Sequence, residues 1–72
     1  MLYNITSHAP GYAKRLASGL TLDQAKDKIS ELATAAILNP RNNPPEIHPN
    51  GLEFRVFNNT ASFYAVTAEP ID

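Results

Sequence analysis

The sequence predicts an α+β domain in which one helix packs on one face of a four-stranded antiparallel sheet, in the order β-β-α-β-β. Three observations lead there: an amphipathic stretch bounded by Thr21 and Asn39-Pro40, two runs of strand-favouring residues before it, and two more after it. At 72 residues the chain makes a single domain, 1–72. A chain of this size buries only roughly 60% of the surface its unfolded form exposes, so its stability is marginal.

Leu2, Tyr3, Ile5 and Thr6 favour a first strand. Tyr12 to Ser18 favours a second, with Tyr12, Lys14, Leu16 and Ser18 on one face and Ala13, Arg15 and Ala17 on the other. Pro10-Gly11 between them suits a type II turn, whose twist fits a two-residue hairpin poorly, so a wider or bulged connection is expected. The alternative, Ser7 to Leu20 as an ordered loop, is long for so small a domain.

The helix begins at a capping box, Thr21 with Gln24 three residues on, and Asp23 adds a negative charge to its first turn. Leu22, Ala25, Ile29, Leu32, Ala33 and Ala36 recur at three- and four-residue steps, while Asp23, Asp27, Ser30, Glu31 and Thr34 occupy the other side. Pro40 disfavours helical geometry in Asn39, so the helix stops at about Leu38.

The connector Asn39 to Gly51 has four prolines and four asparagines in thirteen positions and is expected to be extended, stiff and without regular structure, pinned to the core by Ile47. Asn50-Gly51 then turns the chain into a hairpin of Leu52–Asn58 and Ala61–Ala68 across Asn59-Thr60. Pairing Asn58 with Ala61 sets Val56 against Phe63, Phe54 against Ala65 and Leu52 against Thr67 beneath the helix. The opposite, open face then carries Glu53, Arg55, Phe57, Ser62, Tyr64 and Val66, with Arg55 across from Tyr64. Pro70 ends the strand and leaves Glu69 to Asp72 as a tail. The expected core is Leu22, Ile29, Leu32, Ala33 and Ala36 on Ile5, Leu16, Phe54, Val56 and Phe63.

Composition narrows the chemistry. The chain has no cysteine, which removes disulfides and thiolate zinc sites and suits a reducing cytosol. Its N-terminus has no signal-like apolar region and no apolar run nears the ~20 residues that span a bilayer, so a soluble cytoplasmic protein with no membrane partner is expected. The formal net charge is −1. Met1 to Leu22 carries Lys14 and Arg15 with no acid, and the remainder carries all seven carboxylates against four bases.

No cofactor or metal is expected, because His8 and His48 are read as loop residues that, even with Glu46, do not form three or four converging ligands. Ser7 and His8 are neighbours that a strand points to opposite faces, and Asp23, Asp27 and Glu31 run down the solvated side of the helix. Three glycines form no phosphate-binding loop. The sequence therefore reads as a non-enzyme. The sequons Asn4-Ile5-Thr6 and Asn58-Asn59-Thr60 are accidental without a secretory signal.

Binding is the better reading. An open sheet face with Arg55, Phe57, Tyr64 and Val66, extended by Arg41, Asn42 and Asn43 of the stiff connector, suits a protein partner. A nucleic-acid module using Lys14, Arg15, Arg41 and Arg55 around Tyr64 is the rival, although the RNP pattern is missing and the net charge is unfavourable. Homodimerisation through the open face or an unpaired edge strand is a third reading. The plain alternative is that aromatic and β-branched residues simply suit strands.

The combination of GLTLDQAKDKISELA, Gly19 to Ala33, with PNGLEFRVFNNTASFYAV, Pro49 to Val66, on a small cysteine-free chain resembles the accessory proteins of bacteriophages and mobile elements. Some anti-CRISPR proteins are of this kind. The resemblance implies a single domain in the bacterial host cytosol that inhibits by covering a protein surface, such as a subunit of a Cas effector. It assigns no individual residue a role.

Overall fold

The structure, a computed structural model, describes residues 1–58 and 63–71. Its elements are β1 (Leu2–Ala9), β2 (Tyr12–Leu20), α1 (Leu22–Ile37), β3 (Glu46–Ile47), β4 (Glu53–Phe57) and β5 (Phe63–Ile71). The strands form one antiparallel sheet in the order β2-β1-β5-β4-β3, and α1 lies across one face. The expected α+β class holds, with a fifth strand where four were expected. That strand arises in the proline-rich connector: Pro44 and Pro45 preset an extended backbone, and Glu46 and Ile47 then pair with Arg55 and Phe54. Ile47 remains 53% exposed and does not pin the connector to the core.

β1 and β2 do form a hairpin, and it is tighter than expected. Ala9 pairs with Tyr12, so Pro10 and Gly11 alone make the turn, with Gly11 at a φ of 75°. The irregularity falls within β2 instead. Register shifts between Ile5 and Thr6, and between Tyr3 and Ile5, each insert one extra residue: Leu16 at the first, and at the second the pair Ser18-Gly19 set against Asn4 alone. Gly19 has a φ of 71°. The bulges break the simple alternation read from the sequence: Ala17 and Leu20 pack toward the core, whereas Ser18 donates its hydroxyl hydrogen to Asn4 Oδ1 at 2.7 Å.

α1 starts and stops where its signals place it. Gln24 N donates to Thr21 Oγ1 at 3.3 Å and Thr21 N donates to Gln24 Oε1 at 3.0 Å, completing the capping box, and Leu38 is the C-cap. Ala25, Ile29, Ala33 and Ala36 form the buried stripe. Three small side chains in that stripe let the helix approach the sheet closely. The core is Ile5, Ala25, Ile29, Ala33, Ala36, Phe54, Val56 and Val66. Leu16, Leu22 and Phe63, expected inside, are 39%, 42% and 43% exposed.

The register of the last hairpin differs from the expected one by a single residue. Val56 pairs with Tyr64, Arg55 with Ala65, Phe54 with Val66 and Glu53 with Thr67. Consequently Tyr64 and Val66 turn to the helix side and Phe63 turns to solvent. The observed register covers Val66, Ala68 and the Tyr64 ring, and leaves Thr67 outside; the expected one would have put the Thr67 hydroxyl beneath the helix. Burying a hydroxyl without a partner is unfavourable. The expected Asn59-Thr60 turn and the Asn58–Ala61 pairing lie outside the described residues.

β5 also runs past Pro70, where the strand was expected to end. It is the central strand, paired with β1 from Leu2↔Ile71 to His8↔Ala65. Its pairing with β4 stops at Thr67, after which Ala68 N donates to Leu52 O at 2.7 Å. Pro70 therefore sits where β5 has a neighbour on one side only, the position at which a residue without an amide hydrogen is tolerated.

Candidate functional site

Directly opposed residues of an antiparallel ladder share a face. Because Phe54 and Val56 are buried under α1, Glu53, Arg55 and Phe57 project from the uncovered side with Phe63, Ala65, Thr67 and Glu69 of β5. Leu2, Asn4, Thr6 and His8 of β1, Ile71 of β5, Ala13 and Arg15 of β2 and Glu46 of β3 share this face. One row across the sheet reads Ala13, His8, Ala65, Arg55, Glu46; the next reads Arg15, Thr6, Thr67, Glu53.

The middle of the face is polar and internally bonded. His8 Nε2 lies 3.1 Å from Thr67 Oγ1 and 3.2 Å from Glu69 Oε1, and Thr67 Oγ1 donates to Glu69 Oε1 at 3.1 Å. At the margin Glu53 Oε1 stands 3.9 Å from His48 Nε2. Both ends of the face are apolar instead: Leu2 pairs with Ile71 at one, both partly exposed, and Phe57 with Phe63 at the other. Phe57 and Phe63, 37% and 43% exposed, place their ring centroids 5.7 Å apart, a tilted geometry favourable for aromatic pairs.

Of the residues expected to form the binding surface, Arg55, Phe57 and Arg15 lie on the open face. Tyr64 and Val66 do not: the shifted register carries both to the helix side, which separates Tyr64 from Arg55. Tyr64 instead lines a cleft of about 280 Å³ with Ser7, Leu32, Ala36, Asn42 and Phe54, and burial raises its hydroxyl pKa from 10.0. Lys14 pairs with Ser7 and so belongs to the helix side, across the sheet from Arg15.

The connector is held against the Phe57 end of the sheet. Asn43 N donates to Phe57 O at 2.8 Å, and Asn42 forms a bridge with Asn58. Asn42 Nδ2 donates to the Ala36 carbonyl at 3.1 Å, closing the last turn of α1. The Asn42 side chain is therefore engaged within the domain. Arg41 is exposed beside it.

His8, Phe63, Thr67 and Glu69 were missed as members of the open face. His8 is a strand residue, not a loop residue, because β1 continues to Ala9. The period-two alternation from Thr6 to His8 was the available signal. Thr67 and Glu69 were obscured by the register and by ending β5 before Pro70.

The assembled face carries mixed charge. The guanidiniums of Arg15 and Arg55 share it with the carboxylates of Glu46, Glu53 and Glu69. Among the described residues, no three histidine, aspartate or glutamate side chains converge as metal ligands, and no helix is long and apolar enough to cross a membrane. Comparison of the chain with protein-family models, with curated proteins and with solved structures returns no match.

Proposed function

We propose that this chain is a non-enzymatic accessory domain that binds a protein partner through the uncovered face of its sheet. The observation that carries the reading is the composition of that face: the exposed Phe57–Phe63 pair lies at the edge of a field that Arg15 and Arg55 share with Glu46, Glu53 and Glu69. Exposed aromatics flanked by charges of both signs match the anchor-and-rim anatomy of protein interfaces. The same carboxylates repel a phosphate backbone, so the mixed face favours a protein over a nucleic acid. The resemblance of the sequence to phage accessory proteins makes a bacterial defence complex, such as a Cas effector subunit, the first partner to try, with inhibition by surface coverage in the host cytosol as the proposed mode of action.

The test compares the unmodified chain with Phe57→Ser/Phe63→Ser and with Ile37→Ser, a control at a 60% exposed helix position. Each is used to capture proteins from bacterial lysate and to inhibit purified Cas effectors in a cleavage assay. The open-face variant is expected to lose a partner that the control retains, by about 30-fold or more in affinity if the two rings are anchors. Identical capture and inhibition by all three chains would remove the reading. Retardation of single-stranded or duplex DNA that collapses between about 50 and 200 mM salt would establish the nucleic-acid rival in its place.

A further inference from the structure

We propose a second docking site, at the free edge of β2: the stretch Tyr12–Arg15 accepts an extended acidic segment of a partner protein, which joins the sheet as an added strand. The two edges of this sheet are unlike. The β3 edge is two residues long, with Pro44 and Pro45 before it and Pro49 after it, and such proline flanks and short strands obstruct strand addition. The β2 edge is nine residues long and, among the described residues, has a neighbouring strand on one side only.

Within β2 the regular portion is Tyr12–Arg15, because both bulges lie beyond it. The two-residue turn closes on the pair Ala9–Tyr12, so the backbone groups of Tyr12 and Lys14 face β1 while those of Ala13 and Arg15 point outward. An extended segment can therefore take up main-chain hydrogen bonds there without displacing any described strand.

Charge specifies the occupant. Lys14 projects on the helix side and Arg15 on the open side, so two cations straddle the edge. Among the described residues neither has an ion-pair partner. The carboxylates bordering this strand, Asp27 and Glu31, stand by its far half with Ala17 and Leu20, where Lys28 Nζ lies 3.6 Å from Glu31. Consecutive residues of an added strand point to opposite faces, so two adjacent acidic residues reach Lys14 and Arg15 together. Tyr12 and Leu16, 57% and 39% exposed, supply apolar cover on the helix side. A second copy of this chain fits poorly, since two-fold pairing of Tyr12–Arg15 crowds four cations onto neighbouring strands.

The site is independent of the open-face reading, and the experiment keeps the two apart. The full chain, labelled with ¹⁵N, is titrated with a peptide of about eight residues bearing a central Glu-Glu pair among Thr and Val, and with its Lys-Lys counterpart. Saturation with the acidic peptide is expected to slow hydrogen exchange of the Ala13 and Arg15 amides about tenfold, with no effect of the basic peptide. Lys14→Glu/Arg15→Glu, whose unchanged spectrum elsewhere reports an intact fold, should bind about tenfold more weakly. Phe57→Ser/Phe63→Ser should bind as the unmodified chain does. Three results each overturn the proposal: no slowing at millimolar acidic peptide, perturbation of Ala65 and Thr67 in place of Ala13 and Arg15, or protection of β2 that rises with protein concentration without peptide.

Discussion

Replacing Phe54 and Phe63 in turn by alanine probes the register on which the open face depends. Phe54 is 1% exposed and is the largest fully buried side chain of the core. Truncating such a residue costs about 3–5 kcal/mol, and because Phe54 also borders the cleft beneath α1, water can enter the vacancy and hold the loss near the lower end. Phe63 is 43% exposed. With a little over half of its ring covered, it forfeits about 1 kcal/mol of apolar burial and about 0.5–1 kcal/mol from its pairing with Phe57. The two variants should therefore differ by roughly 1–1.5 kcal/mol, a gap of about 4–12 °C in Tm for a domain of this size. Domains of this length have about 4–11 kcal/mol in total, so Phe54→Ala sits near the limit of folding while Phe63→Ala folds readily. Urea unfolding followed by circular dichroism, supported by thermal melts, measures both. Equal losses, or a larger loss for Phe63→Ala, would mean that Phe63 lies beneath the helix and that the assembled face is wrong.

Thr21→Ala removes one bond of the capping box directly and leaves the Gln24 amide without its acceptor; a loss of about 1 kcal/mol is expected in the same urea assay. Asn42→Ala removes one of the hydrogen bonds to the Ala36 carbonyl, which still accepts from the Asn39 amide at 3.3 Å, so a loss of about 0.5–1 kcal/mol should appear with faster amide exchange in the last helical turn. Stability should also fall in alkali: burial raises the Tyr64 pKa above 10.0 in the folded chain, so the stabilisation is complete below pH 10 and is lost as the unfolded state releases its proton first. Urea midpoints measured from pH 8 to 11 should decline less steeply in Tyr64→Phe than in the unmodified chain.

Local signals were legible and long-range ones were not. Thr21, Gln24, Asn39 and Pro40 bracket α1 because capping and proline sterics act within a few residues, and α1 spans Leu22–Ile37 as those signals require. Both faces of the last hairpin carry apolar residues, Phe57 and Phe63 on one and Tyr64 and Val66 on the other, so the alternation fits two registers and leaves the choice to tertiary packing. That choice depends on β1 and β5 being neighbours, a pairing between the first and last strands that no local pattern announces. The bulges in β2 leave no local signature for a related reason: they place Ala17 and Leu20 toward the core, a gain that arises only once the helix is in position. The open face was anticipated as a surface, with Arg55, Phe57 and Arg15 on it, but the aromatic partner is Phe63 rather than Tyr64.

The central place of β5 also orders events during synthesis. When α1 has emerged from the ribosome, β1 and β2 can already pair, yet Ile5 lacks Val66 and the sheet lacks its middle. Leu2 must wait for Ile71, almost the whole chain later. Contacts so distant make folding slow relative to helical proteins of equal length, and until they form the oily underside of the nascent sheet stays in water.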